Sequence, residues 1–380
     1  MRRMMILFLA VCLLLPMGVS TQAVQLDVAG KSAVLMDAAT GTVLYEKNAH
    51  EPLAPASVTK VMTMLLIMEA IDSGKIDWND MVTASEAAAA KGGSQIYLKV
   101  GESMTVSDMV KSIAVSSAND AACAMAEHIS GSESAFVEQM NKRAKELGME
   151  HSHFVNCTGL DDDPQAAQHL TCAYDIALMS RELLQRHPDI KKFTTIWMDT
   201  IRNGSFGLAN TNKLVRFYSG ATGLKTGFTA KAGYCLSASA QRDGMQLIAV
   251  VMGAETSKDR FAACKSMLDY GFANFALVVP ERKEGQVPVK LGLQETVTAV
   301  PAEDVHLLVE KQQKGDVTVQ IQLQEQMSAP VSQGQRLGTM TVRSGEQILA
   351  QIPMVAATSV PRLTWGQIFA RILGYIVMAK

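Results

Sequence analysis

The sequence predicts a mixed α/β (α+β) fold: one sheet drawn from both ends of a large domain, then a small all-β domain and a helical tail. Three observations carry this. Strand patterns at 32–48 and 223–254 enclose a long helical block, and such strands pack most simply as one sheet with helices against it. From about Val278 the composition shifts to Val-, Thr- and Gln-rich alternation such as "DVTVQIQLQ", the period-two pattern of half-buried strands. The tail "PRLTWGQIFARILGYIVMAK" repeats Trp365, Ile368, Phe369, Ile372, Leu373, Ile376 and Val377 at helical spacing.

In chain order, Arg2 and Arg3 precede the apolar run "MMILFLAVCLLLPMGV", and "STQA" follows. That is the three-part pattern of a secretory signal peptide, with cleavage expected after Ala23. The run contains Pro16 and falls short of the roughly 20 apolar residues a span needs. Residues 1–23 therefore read as a signal, and the mature protein as exported. "SAVLMDAATGTVLYEKN" reads as two strands around a Thr-Gly turn. A helix is expected from about Ser57 to Ser73, between Pro55 and Gly74. Between Thr83 and Met149 the pattern is helical, with "ASEAAAAKGG" as a short helix and Thr105, Asn119 and Ser132 as N-caps. Another helix falls near 171–186. "TGLKTGFT", "GYCLSASAQRD" and "GMQLIAVVMGA" then read as strands, the last two joined by a tight Arg-Asp-Gly turn, and "SKDRFAACKSMLDYGFANF" as a helix. This divides the mature chain into 24–277, a β-rich domain 278–358 and a tail 359–380.

The tail carries three cations and no acid, with Arg371 in its middle. A charge there opposes spanning a bilayer, so a helix lying in the membrane interface is expected, with packing on the β domain as the alternative.

Composition removes other classes. Of 380 residues, 48% are hydrophobic and 19% charged, the net charge is -2, and no basic cluster appears, so a nucleic-acid partner is not expected. Cys12 leaves with the signal; Cys123, Cys157, Cys172, Cys235 and Cys264 are odd in number, widely spaced and without C-x-x-C. They read as buried free thiols, with Cys157 and Cys172 the one pair to test. His151 and His153 lack further ligands nearby, and "DDD" at 161–163 lacks calcium-loop spacing. No metal and no cofactor is expected.

The chemistry begins with "PLAPASVTKVMT". Ser57 and Lys60 are three residues apart, hence on one helix face. A serine hydroxyl needs a base, and a lysine serves when burial lowers its pKa. The apolar "VMTMLLIME" after it supplies burial. "SSAND" places Ser117 and Asn119 at a helix entry. "GLKTGFTAKAG" places Lys225, Thr226 and Gly227 on a strand, where a glycine marks close approach of another backbone or a ligand. The amide of Phe228 on that strand is a candidate oxyanion donor.

S-x-x-K, S-x-N and K-T-G in that order are the set of penicillin-binding proteins and class A β-lactamases. With "SSANDAA", "GLKTGFTAKAGYCLSASA" and "VVMGAETSKDRF" in place, residues 30–275 resemble the low-molecular-mass penicillin-binding proteins, the serine-type D-alanyl-D-alanine carboxypeptidases. The β domain and amphipathic tail also resemble that group's layout. The resemblance implies a β-lactamase/transpeptidase-like catalytic domain, with a sheet flanked by helices. It implies removal of the terminal D-alanine from peptidoglycan stem peptides ending in D-Ala-D-Ala, and acylation by β-lactams. It makes Ser57 the nucleophile, Lys60 its base, and Ser117 a proton relay within the positive field of Lys225. Asn119 would contact the peptide backbone, Thr226 the terminal carboxylate with Arg260 as cationic partner, and the amides of Ser57 and Phe228 the oxyanion. Many relatives carry His where this chain has Phe228, and the "CTGLDDDPQAAQHLT" loop is more acidic than expected. Other readings are a β-lactamase, for which no Glu-x-x-Leu-Asn appears between Asn119 and Lys225, a D,D-endopeptidase, and a non-catalytic wall-binding protein.

Overall fold

The computed structural model describes residues 26–162 and 164–378, so the expected signal segment 1–23 lies outside the described residues. Strands β1 (Ser32–Asp37) and β2 (Val43–Lys47) form the expected hairpin. Helix α1 (Lys60–Asp72) follows, preceded by a 3-10 turn at Ala56–Thr59. The helical block comprises α2 (Val106–Ser116), α3 (Asn119–Ser130), α4 (Glu133–Glu146) and α5 (Ala173–Arg186). Strands β3 (Ala221–Thr229), β4 (Gly233–Arg242) and β5 (Met245–Ala254) then complete one antiparallel sheet in the order β2-β1-β5-β4-β3. Strand β1 comes from the N-terminus yet sits against β5, as the sequence pattern required.

The sheet separates two apolar layers. One face packs with α1 and α5 through Val34, Met36, Met64, Leu65, Ile176 and Val250. The other lies under α6 (Ser257–Asn274), through Leu35, Leu236, Val251, Met267 and Leu268. Apart from Glu69 and the residues at its C-terminal end, α1 is buried all round, the pattern of a central core helix. Its Thr63 hydroxyl, which has no solvent to turn to, donates to the carbonyl of Cys157 at 2.6 Å.

Thr105 and Ser132 cap α2 and α4, accepting from Asp108 N and Ala135 N. Asn119 does not cap α3: Ala118 holds that position, and Asn119 is the first helical residue. The turn between β4 and β5 has Asp243 and Gly244 at φ 49° and 82°, the two left-handed positions of a type I′ hairpin. Among the described residues the five cysteines, Cys157 and Cys172 included, are free and buried.

Beyond α6 the chain forms a short ribbon, Phe275–Val278 with Leu307–Glu310, and a six-stranded sheet with its own core around Val287, Leu337, Val342 and Met354. Helix α7 (Trp365–Met378) ends the described chain. Its Trp365, Phe369, Ile372 and Ile376 are exposed. Among the described residues no helix is long and apolar enough to cross a membrane.

Candidate active site

The nucleophile candidate sits in a constrained turn. Ala56 holds φ 49°, a left-handed conformation that costs a non-glycine residue about 1–2 kcal/mol. Three contacts hold this turn in place. Val58 N donates to Pro55 O. The Thr59 hydroxyl donates to Ala56 O at 2.8 Å. Gly159 lies so close that a Cβ there would stand 1.9 Å from Ala56 O, which only a glycine tolerates.

Behind Thr59 lies His169, 3% exposed. Its Nδ1 accepts from Val155 N at 3.2 Å, so Nε2 carries the proton and donates to Thr59 Oγ1 at 2.8 Å. Burial, then His153 and Lys60, lower its pKa to about 4. The unfolded chain therefore binds this proton more readily than the folded one below the ordinary histidine value. Stability is expected to be full above pH ~6.5 and to fall by up to about 3 kcal/mol as pH drops through 4. Denaturant unfolding at pH 7 and pH 4 measures this. His169→Gln should flatten the slope; an unchanged slope would exclude His169 as its source.

Ser57 and Lys60 meet as the spacing predicted. Lys60 has no exposed surface, its Nζ lies 3.0 Å from Ser57 Oγ, and it donates to the carbonyl of Thr158 at 2.8 Å. Burial is the largest influence on its amine and lowers the pKa to about 7; Cys157 and Asp120 oppose this. A neutral amine retains a lone pair, so at neutral pH Nζ can accept the Ser57 proton. Among the described residues, no carboxylate or histidine bonds to Ser57 Oγ.

The second wall comes from the junction of α2 and α3. Ser117 ends α2 in a left-handed conformation, φ 66°, and is buried. Asn119 Nδ2 donates to Gly92 O at 2.7 Å, which fixes the amide orientation and leaves its buried Oδ1 without a partner. Asp120 accepts from the amides of Ile96 and Leu98, tying the loop that carries Gly92 to α3. An open cleft of about 420 Å³, lined in part by Gly92, Asn156, Thr158 and Asp162, adjoins the carbonyls that hold Asn119 and Lys60.

The third wall is β3. Gly227 passes against the serine turn, and a Cβ on it would lie 2.7 Å from Pro55 O and 3.1 Å from Ser57 N. This is the close approach the strand glycine signalled. Lys225 is buried, and its Nζ donates to Thr226 O at 3.0 Å rather than to Ser117. Burial, then Lys60 and Arg260, push its pKa well down. Phe228 is exposed and stacks on Tyr234 with centroids 4.3 Å apart.

Arg260 is buried on α6. Its guanidinium donates to Gly227 O at 2.8 Å and Cys235 O at 3.2 Å, and it packs over Tyr234 and Phe261. A buried cation takes the nearest carbonyls; here it clamps β3 to β4 from behind. Sequence reasoning missed His169, Gly159 and Thr211, whose hydroxyl lies 2.7 Å from Thr226 Oγ1.

Fold and site together define a serine-type hydrolase, with a buried lysine amine one turn along the chain from the serine. The family model described as D-alanyl-D-alanine carboxypeptidase matches residues 19–256, and the chain belongs to that family. Residues 272–362 match the penicillin-binding protein 5 C-terminal domain. The D-alanyl-D-alanine carboxypeptidase DacF of Bacillus subtilis is 44% identical over 90% of this chain and 89% of its own. DacA of Escherichia coli is 34% identical over 91% and 86%. Penicillin-binding protein 5 from Haemophilus influenzae superposes with a TM-score of 0.76 at 31% identity, covering 88% of this chain and 98% of that one. Penicillin-binding protein D2 from Listeria monocytogenes, in an ampicillin-bound form, gives 0.59 at 31% identity over 65% and 99%.

Proposed function

We propose that this chain is a serine-type D-alanyl-D-alanine carboxypeptidase that removes the terminal D-alanine from peptidoglycan stem peptides through a Ser57 acyl-enzyme. One observation carries the residue assignment: a fully buried Lys60 amine with pKa about 7, 3.0 Å from the Ser57 hydroxyl. Lys60 takes the Ser57 proton as Oγ attacks the carbonyl of the penultimate D-alanine. The amides of Ser57 and Phe228 receive the developing oxyanion. The C–N bond then breaks, and the proton passes from Lys60 through Ser117 to the leaving D-alanine nitrogen. Lys60 is neutral again at that point, which makes it the base for the water that hydrolyses the ester, with no histidine after K-T-G required. Asn119 Oδ1 accepts from a substrate N–H, and Thr226 binds the terminal carboxylate. β-Lactams acylate the same serine.

The division into 24–277, 278–358 and 359–380 belongs to this reading. So does an exported protein held at the outer face of the cytoplasmic membrane by the exposed apolar stripe of 359–380, which contains Arg371 and no acid.

The test is D-alanine release from a peptide ending in D-Ala-D-Ala, with labelled penicillin trapping the acyl-enzyme. Release together with a penicillin adduct on Ser57 is the expected result. An inert peptide and an unmodified Ser57 would sink the proposal.

A further inference from the structure

We propose that Thr211 is a specificity-determining residue for carboxylate recognition, forming with Thr226 a two-hydroxyl reader of the substrate's C-terminal carboxylate. This rests on the carboxypeptidase reading and deepens it. The Thr226 and Thr211 hydroxyl oxygens lie 2.7 Å apart. Each hydroxyl donates one hydrogen bond and accepts others. Thr226 gives its O–H to Thr211, so the Thr211 O–H is the one that remains to be given outward to an anion. A lone Thr211 hydroxyl could swing among rotamers; one that accepts from Thr226 presents a fixed donor.

The backbone around Thr211 is built to hold it there. Its own amide donates to Val115 O at 3.1 Å, two residues before Ser117. The flanking asparagines are both buried. Asn210 Nδ2 donates to Ile196 O at 2.7 Å, Asn210 Oδ1 accepts from Asn212 N, and Asn212 Oδ1 accepts from Leu214 N. The Asn-Thr-Asn segment thus forms a bracket from the end of α2 to the edge of β3, with the one half-buried hydroxyl between two buried amides aimed at Thr226.

Charge accounting strengthens the assignment. Arg260, the cation expected at the carboxylate, is buried and turns its guanidinium to the carbonyls of Gly227 and Cys235 and to Ser257 Oγ, with its Nε buried and unpartnered. Lys225 spends a donor on the carbonyl of Thr226. Arg260 lends a positive field from behind the strand, and the direct contact with the carboxylate is assigned to the neutral hydroxyls.

The experiment compares Thr211→Val, which keeps the shape and deletes the O–H, with Thr211→Ser, which keeps the O–H. Two D-alanyl thioester substrates are used, one with a free carboxylate on its leaving group and one without. For the carboxylate-bearing substrate, Thr211→Val should lower kcat/KM about 10-fold, chiefly through KM, the size of one hydrogen bond to a charged group. The carboxylate-free thioester should change by less than about twofold, and Thr211→Ser should restore the wild-type ratio. An equal fall on both thioesters would make Thr211 a structural residue only, and no fall on either would remove it from recognition; both overturn the inference. Release of D-alanine by the wild-type chain tests the broader reading separately, since the thioester ratio is read whether or not a peptide bond is cleaved.

Discussion

Replacing Lys60 by methionine is expected to lower acylation of Ser57 by about a thousandfold, the scale of a lost general base, with the fold kept. Methionine matches the length and apolar stem of a side chain that has no exposed surface, and it asks for no compensating charge. What disappears is the lone pair 3.0 Å from Ser57 Oγ. The pH profile supplies a second reading of the same residue. In the wild type, kcat/KM should rise with pH as the Lys60 amine loses its proton and level off above its pKa of about 7. Below that value the slope is about tenfold per pH unit. In Lys60→Met that inflection should vanish. A variant retaining wild-type acylation, or the same inflection, would place the base elsewhere. Stopped-flow acylation by a chromogenic β-lactam measures both.

Gly227→Ala is expected to reduce acylation by at least about 100-fold, because a displacement near 1 Å at a reacting centre costs that much. The added Cβ would stand 2.7 Å from Pro55 O and 3.1 Å from both Ser57 N and Val58 N. Backbone cannot yield as a side-chain tip does, so β3 must move away from the serine turn. That widens the gap between the amides of Ser57 and Phe228, the proposed oxyanion site. Peptide hydrolysis and penicillin acylation should fall together. Activity within about threefold of wild type would show that β3 and the serine turn do not need this contact to hold the oxyanion.

The three motifs were legible in the sequence because each is local and their order is distinctive. So was the sheet built from both ends of the large domain, since strand and helix periods differ. The start of α1 shifted from Ser57 to Lys60 because Ala56–Thr59 winds as a 3-10 turn under contact from Gly159, a residue far along the chain. Asn119 looked like a cap and is instead tied sideways to Gly92. Arg260 looked like a surface or ligand-binding cation; its burial against Tyr234 and Phe261 arises only when α6 folds over β4. Thr211 and His169 were invisible for the same reason: each acts through a hydroxyl brought near by tertiary structure, with no spacing of its own to mark it.

The pairing of β1 with β5, Leu35 opposite Ala249, also sets when this enzyme can exist during its synthesis. A nascent chain that has reached residue 230 already holds Ser57, Lys60, Ser117 and Lys225. Yet β1 has no neighbour on its inner side, and β4 has not been made to hold β3 in place. Sheets closed by such distant segments form late and slowly. On the proposed mechanism, Ser57 gains its partners on the sheet only once almost the whole catalytic unit has emerged, so its reactivity is timed by topology.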